Sequence, residues 1–284
     1  LTSKVVDFLL VAEHTKTAVA PATCGELIQG TVGDNDFLIN FPISLYSQVS
    51  VSFDKERGVR INHDGIYTKL TQAAEQFLKL VTDQPLGLSI NISSRVPRGK
   101  GLASSTSEIT AALHATQSLL GSEYSPEEIN RLIVEVDPSD AVVMPGISVC
   151  DPILGTIYES LGDPPSTGVI VVDTGGAVES QDFDRERARA NSLQYEDLLR
   201  LALDQIREGF HCGSTRHIAE AATLSARIHQ NVLKKPGLED LIKSSLEAGA
   251  LGVNCAHTGT VLGVLYDPAT THYERLLRRI ERTV

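Results

Sequence analysis

The residues best suited to chemistry in this chain form one run of glycines, serines and a carboxylate: Val96-Pro97-Arg98-Gly99-Lys100-Gly101-Leu102-Ala103-Ser104-Ser105-Thr106-Ser107-Glu108. Glycines let the backbone approach a ligand closely, successive N–H groups can converge on an anion, and the start of a helix adds partial positive charge. Such a run suits phosphate. Ser104 and Ser105 add hydroxyls, while Arg98 and Lys100 can neutralise phosphate charge or simply keep the loop solvated. The order is neither GxxxxGK[ST] nor GxGxxG, which excludes a Walker loop, a dinucleotide fingerprint and a protein-kinase glycine loop. Taken alone, the residues also describe a tight turn whose serines cap the following helix.

Acids gather in Val134-Glu135-Val136-Asp137-Pro138-Ser139-Asp140, at the expected end of a helix. Magnesium takes oxygen ligands and keeps waters, so one carboxylate and one hydroxyl beside ligand oxygens would hold it. A second carboxylate can orient an acceptor hydroxyl and accept its proton. An exposed turn has the same composition. Glu108, in the first turn after the glycine run, is either a metal ligand or a complement to the helix N-terminus.

Two further segments belong with these. Ala20-Pro21-Ala22-Thr23-Cys24-Gly25-Glu26-Leu27-Ile28-Gln29-Gly30 reads as a loop in which Glu26 could take an ammonium or a hydroxyl, or as a polar turn. Near the C-terminus, Gly252-Val253-Asn254-Cys255-Ala256-His257-Thr258-Gly259-Thr260-Val261-Leu262-Gly263 sets His257 in a second loop, as a ligand or as a structural residue.

The elements that must position these residues follow from periodicity. Val49, Val51 and Phe53 alternate with polar residues, as do Leu88, Ile90 and Ile92, which predicts two half-buried strands. Apolar residues at 70, 73, 74, 77, 78 and 81 predict a helix between them. A helix of small residues is expected from about Ser104 to Leu120, and a third from Pro126, capped by Ser125 and ended by Pro138. The Gly- and Pro-rich stretch 163–168 is the expected boundary between domains 1–160 and 161–284. Beyond it the pattern predicts a strand at 169–172, charged helical segments over 184–209, 214–230 and 238–248, a strand at 260–266 and a last helix from 271.

A formal charge of −11 argues against nucleic-acid and anionic-membrane partners, because phosphate-backbone binding draws on clustered Lys and Arg. No stretch reaches the roughly 18 apolar residues of a membrane span, and Asp7 and Glu13 interrupt the N-terminal apolar run where a secretory signal would need continuity. The four cysteines show no CxxC pair, so buried reduced thiols in a cytoplasmic protein are expected.

The glycine run resembles the second motif of the GHMP kinases, P-x-x-x-G-L-[GA]-S-S, with Pro97, Gly101, Leu102, Ala103, Ser104 and Ser105 in those places. Ala20 to Gly30 resembles the first motif, and its P-x-T-C-G-E-L-x-Q-G is similar to the PduX-like L-threonine kinases of cobalamin assembly; the A-H-[ST]-G-T segment resembles the third. The resemblance implies an α+β, two-lobed fold: an N-terminal domain like ribosomal protein S5 domain 2, with a left-handed βαβ crossover, and a ferredoxin-like C-terminal domain. It implies ATP bound by residues 97–105 and Mg²⁺ held by Ser105 and Asp137, with Glu108 or Glu135 as other carboxylates. It implies a small acceptor, L-threonine, contacted by Thr23, Gly25, Glu26, His257, Thr258 and Gly259, with its hydroxyl oriented by Asp140. Asp137 departs from the Glu of that branch's E-P-[ST]-D, which favours a catalytically silent member of the fold; a kinase acting on homoserine or another small alcohol is a separate alternative. Asp151 matches a further Asp of the pattern with no task assigned. A homodimer is compatible with all of this.

Overall fold

A computed structural model describes residues 15–138, 140–178 and 180–284. The expectation about the N-terminal run therefore concerns residues outside the described ones, as does Ser139 of the acidic turn.

Two long strands, β1 (Thr15–Val32) and β2 (Asn35–Asp54), form an antiparallel pair on which the rest of the molecule is hung. β3 (Gly58–Ile61) leads into helix α1 (Thr68–Val81) and then into β4 (Gly87–Ser94), which runs parallel to β3 and antiparallel to β2. The alternation read from sequence is realised in register: Val49 lies opposite Ile92 and Val51 opposite Ile90, all facing the core. Helices α2 (Ser104–Leu120) and α3 (Pro126–Val136) join α1 over this face, burying Phe77, Ile109, Leu113, Ile129 and Ile133. Each such side chain contributes about 1.5–3 kcal/mol of hydrophobic stabilisation. α3 begins as predicted, with a reciprocal capping box between Ser125 and Glu128 and Pro126 in the first turn.

After β5 (Ile147–Cys150) and β6 (Ile157–Gly162) the chain turns through 163–168 into β7 (Gly168–Asp173). The helical stretch that follows divides at Tyr195 into α4 (Arg185–Gln194) and α5 (Glu196–Cys212), then continues as α6 (Thr215–His229) and α7 (Leu238–Glu247). β8 (Gly252–Cys255), β9 (Val261–Tyr266) and α8 (Tyr273–Glu281) complete the described chain. The strands join in the order β3-β4-β2-β1-β8-β9-β7, with β5 on β2 and β6 on β5. The two halves meet where Glu26 of β1 pairs with Cys255 of β8. A second core packs Leu27, Ile39 and Val149 against Leu199, Ile206 and Ala222, so apolar contact crosses the 163–168 turn as the sheet does.

Two expectations change. The segment 20–30 is not a loop but the middle of β1, and three of the cysteines are buried while Cys212 is exposed. Among the described residues no helix is long and apolar enough to cross a membrane.

Candidate active site

Helix α2 opens without a side-chain cap and without an acid in its first turn. Its backbone ladder starts with Ser107 N–H donating to Ala103 C=O at 2.9 Å, so the N–H groups of residues 104–106 have no intrahelical acceptor. They open on a cleft of about 660 Å³. Ala103, just before the helix, has φ +53°, the one non-glycine left-handed residue among those described. Such strain is held only where surrounding structure over-determines it, commonly at ligand sites. It turns the chain so that Gly99, Gly101 to Thr106 and Glu108 all line the cleft. Pro97 and Lys100 do not. Lys100 turns away to Asp173 at 2.7 Å and the carbonyl of Gly176, a structural tie in place of the expected phosphate contact.

Glycines from three distant segments interlock beneath this loop. Gly25 has φ +58°, Gly101 +82° and Gly259 +121°. A methyl on Gly25 would strike Cys255 and Ala256, one on Gly101 would strike Ala256 and Thr258, and one on Gly259 would strike Lys100 and Gly101. Backbone bonds seal the seam: Thr23 N–H to Leu102 C=O at 3.2 Å, Gly25 N–H to Gly101 C=O at 3.3 Å, and Thr260 N–H to Lys100 C=O at 2.9 Å. Thr23, Gly25 and Gly259 thus sit in the seam, away from the cleft wall where substrate contact was expected. The register break in β1 between Thr23 and Glu26 works as a β-bulge, which re-aims one side chain, Glu26, into the cleft.

Glu26 is buried and meets Asp140 through a side-chain hydrogen bond. Desolvation, reinforced by the neighbouring Asp140 charge, raises Glu26 well above the usual carboxylate range; desolvation also carries Asp140 up to about 6. A hydrogen bond between two carboxyl groups requires a proton on one of them, so the pair retains a proton and one negative charge at neutral pH. Glu26 also accepts from the backbone N–H of His257.

His257 sits in a cluster with Gln29, Phe183 and His229. Its Nδ1–H donates to Gln29 Oε1 at 2.6 Å, and its ring packs 4.3 Å from that of Phe183 and 5.5 Å from that of His229. Burial, helped by the nearby positive charges of Lys235 and Arg185, depresses its pKa to about 3. His257 is therefore neutral, with Nε2 left as an acceptor. His229 is held neutral by the same desolvation, and its Nε2–H donates to the His257 carbonyl at 2.9 Å.

Across the cleft, Asp137 caps the end of α3 and pairs with Lys69 of α1 at 2.6 Å; Lys69 also donates to Ser180 Oγ at 2.9 Å. Glu108 is buried and bound to Arg98 at 2.5 Å, the guanidinium lying 4.1 Å over the Tyr67 ring. Desolvation raises its pKa despite that partner. Glu135 is exposed on α3 and outside the cleft. Asp151 is structural: it accepts from the N–H groups of Ile153 and Leu154, both at 2.8 Å, and from Tyr158 Oη–H at 2.9 Å. The thiols of Cys24, Cys150 and Cys255 are pushed up to about 12 by burial, which removes them as nucleophiles.

Sequence reasoning missed Lys69, Ser180, Phe183, Arg185 and Arg189, all lining the cleft, and Gln29 and Lys235 beneath it. Gln29 lay within the quoted N-terminal motif and carried a signal. The others sit in helices or connections whose pattern marks only an apolar face.

The donor set suits a phosphorylated ligand with its cation. Unpaired helix N–H groups, the Ser105 hydroxyl and the Asp137 carboxylate face one cavity, and magnesium needs few protein ligands. Among the described residues no group of three or more His, Cys, Asp or Glu forms a metal cage.

Comparison with known proteins agrees. Residues 68–145 match the model for the GHMP kinases N terminal domain. The L-threonine kinase of Salmonella typhimurium is 27% identical over 258 residues, which cover 91% of this chain and 85% of that protein. The L-threonine kinase of Citrobacter freundii is 28% identical over 254 residues, 88% of this chain and 86% of that protein. The fold matches the crystal structure of homoserine kinase from Cytophaga hutchinsonii with a TM-score of 0.67 at 18% identity, covering 95% of this chain and 89% of that one. The chain thus carries a match to the GHMP kinases N terminal domain at residues 68–145, is similar to two L-threonine kinases over most of its length, and shares the fold of a homoserine kinase structure.

Proposed function

We propose that this chain is a GHMP kinase, a phosphotransferase with an alcohol acceptor, and that it transfers the γ-phosphoryl group of Mg-ATP to the hydroxyl of L-threonine, giving O-phospho-L-threonine for the nucleotide-loop side of cobalamin synthesis in the cytoplasm. The observation that carries the reading is one cleft holding both an uncapped helix N-terminus and a proton-sharing carboxyl pair. Bound Mg-ATP would supply the phosphoryl group and the cation that offsets its charge.

The chain's own residues do the rest. The loop 98–105 and the first N–H groups of α2 hold the phosphates, with Ser105 and Asp137 available to the cation. Lys69, now paired with Asp137, is free to turn toward phosphate once a cation occupies that carboxylate. Phosphoryl transfer needs alignment more than covalent help. Asp140, raised to about 6, is poised to accept the hydroxyl proton. The single negative charge of the Glu26–Asp140 pair and the His257 Nε2 acceptor suit the ammonium of an amino acid, and Arg185 on the cleft wall suits its carboxylate. The similarity to two L-threonine kinases over most of the chain supports this choice of acceptor.

An ADP-release assay with L-threonine, homoserine, serine, shikimate and mevalonate tests the reading. Threonine-dependent turnover at the highest kcat/KM supports it. A preference for another alcohol reassigns the acceptor, and ATP binding without turnover on any of them identifies a non-catalytic member of the fold.

A further inference from the structure

Among the described residues Lys235 is the one buried lysine or arginine, with 2% of its surface exposed. Within that set it forms no ion pair. Its Nζ donates to the carbonyl of Gly259 at 2.7 Å. An unpaired buried ammonium costs several kcal/mol, and methionine would fill the same space without that penalty. Burial lowers the pKa of Lys235, opposed by the neighbouring Cys255 and Glu26, and what the position uses is the Nζ donor at its end, which methionine lacks.

What that donor holds is the loop beside the site. Gly259 packs directly onto Lys100 and Gly101, and the N–H groups of Thr260 and Val261 donate to the Lys100 carbonyl at 2.9 and 3.1 Å. On its other side the phosphate loop is bonded to β1 through Gly25 and Thr23. The loop 97–103 is thus sandwiched, and Lys235 stands behind one slice. Its own backbone is fixed by Lys235 N–H donating to Gln230 Oε1 at 2.8 Å, at the end of α6.

We propose that Lys235 is a positioning residue for phosphoryl transfer: its Nζ, donating to the Gly259 carbonyl, clamps the loop 256–260 onto the phosphate loop, so that both segments grip the nucleotide as one unit. The proposal rests on the assignment of residues 98–105 to phosphate. Lys235 touches neither substrate nor nucleotide in this scheme; it acts through Gly259.

The test is Lys235→Met, measured by ATP affinity, steady-state kinetics, thermal melting and amide hydrogen exchange. Expected are at least tenfold weaker ATP binding and a matching rise in KM for ATP. At saturating ATP kcat should stay within about threefold and the melting temperature within a few degrees, while the Thr260 and Val261 amides exchange faster. Unchanged ATP affinity in a folded variant would overturn the clamp. Should the variant fail to fold, wild-type exchange decides: ATP must slow exchange in 256–261 together with 99–105, and protection confined to 99–105 would overturn the proposal. If wild-type protein binds no ATP, the phosphate-loop assignment itself has failed and the clamp falls with it.

Discussion

Gly101 and Gly259 are packed so closely, backbone on backbone, that neither position has room for a side chain. Both also adopt backbone angles that L-residues rarely hold, φ +82° and +121°. The contact joins segments more than 150 residues apart in sequence and fixes the height of the phosphate loop above the cleft.

Gly259→Ala should therefore cost roughly 1–3 kcal/mol in strain and weaken nucleotide binding at least tenfold. Gly33→Ala is the control: Gly33 is also left-handed, at φ +59°, but nothing lies near its missing side chain. Denaturant melts and nucleotide titration of both variants check this, and equal losses would remove the contact from the account.

Asp140→Asn should lower kcat by about 10²–10⁴ while ATP affinity stays within threefold. In the wild type, a base with pKa near 6 is deprotonated above that value and lost below it. Activity should fall with an acidic limb centred near pH 6, read from kcat/KM between pH 5 and 8.

The helix N-terminus and the strands around it were legible from sequence because their signals are local: Ser125 and Pro126 mark a helix start, and Val49 and Ile90 alternate with polar neighbours. The strand carrying Glu26 was not, because Pro21 and Gly25 read as loop residues. Both sit at breaks in the β1–β2 register, which sequence pattern does not encode. Lys69 and Lys235 were invisible for another reason. Each meets its partner across 68 and 24 residues respectively, and a lone lysine in a helix or turn ordinarily reads as solvated.

Asp137→Asn should raise the Mg²⁺ concentration for half-maximal turnover on the order of tenfold, and Asp137→Glu should retain a low requirement. Turnover measured over a magnesium series at fixed ATP distinguishes them. An unchanged requirement in Asp137→Asn would move the cation to Glu108.

His257 and His229 have folded pKa values below the ordinary value near 6.5. Below pH 6.5 the unfolded chain binds protons that the folded chain refuses, so their contribution to stability is lost as pH falls through that value. The raised Glu26 and Asp140 act in the opposite sense, losing stability as pH rises through their folded pKa values. The comparison that isolates the histidine is His257→Asn against wild type: the drop in melting temperature from pH 7 to 5 should be smaller in the variant. A drop of equal size would mean that His257 is not desolvated.

The most direct measurement is a crystal structure with a non-hydrolysable ATP analogue, Mg²⁺ and L-threonine. Phosphates are expected on the backbone N–H groups at the start of α2, and the threonine hydroxyl between the γ-phosphorus and Asp140, within about 3.5 Å of the phosphorus. Phosphates seated away from residues 101–105, or a threonine hydroxyl facing away from Asp140, would contradict this placement.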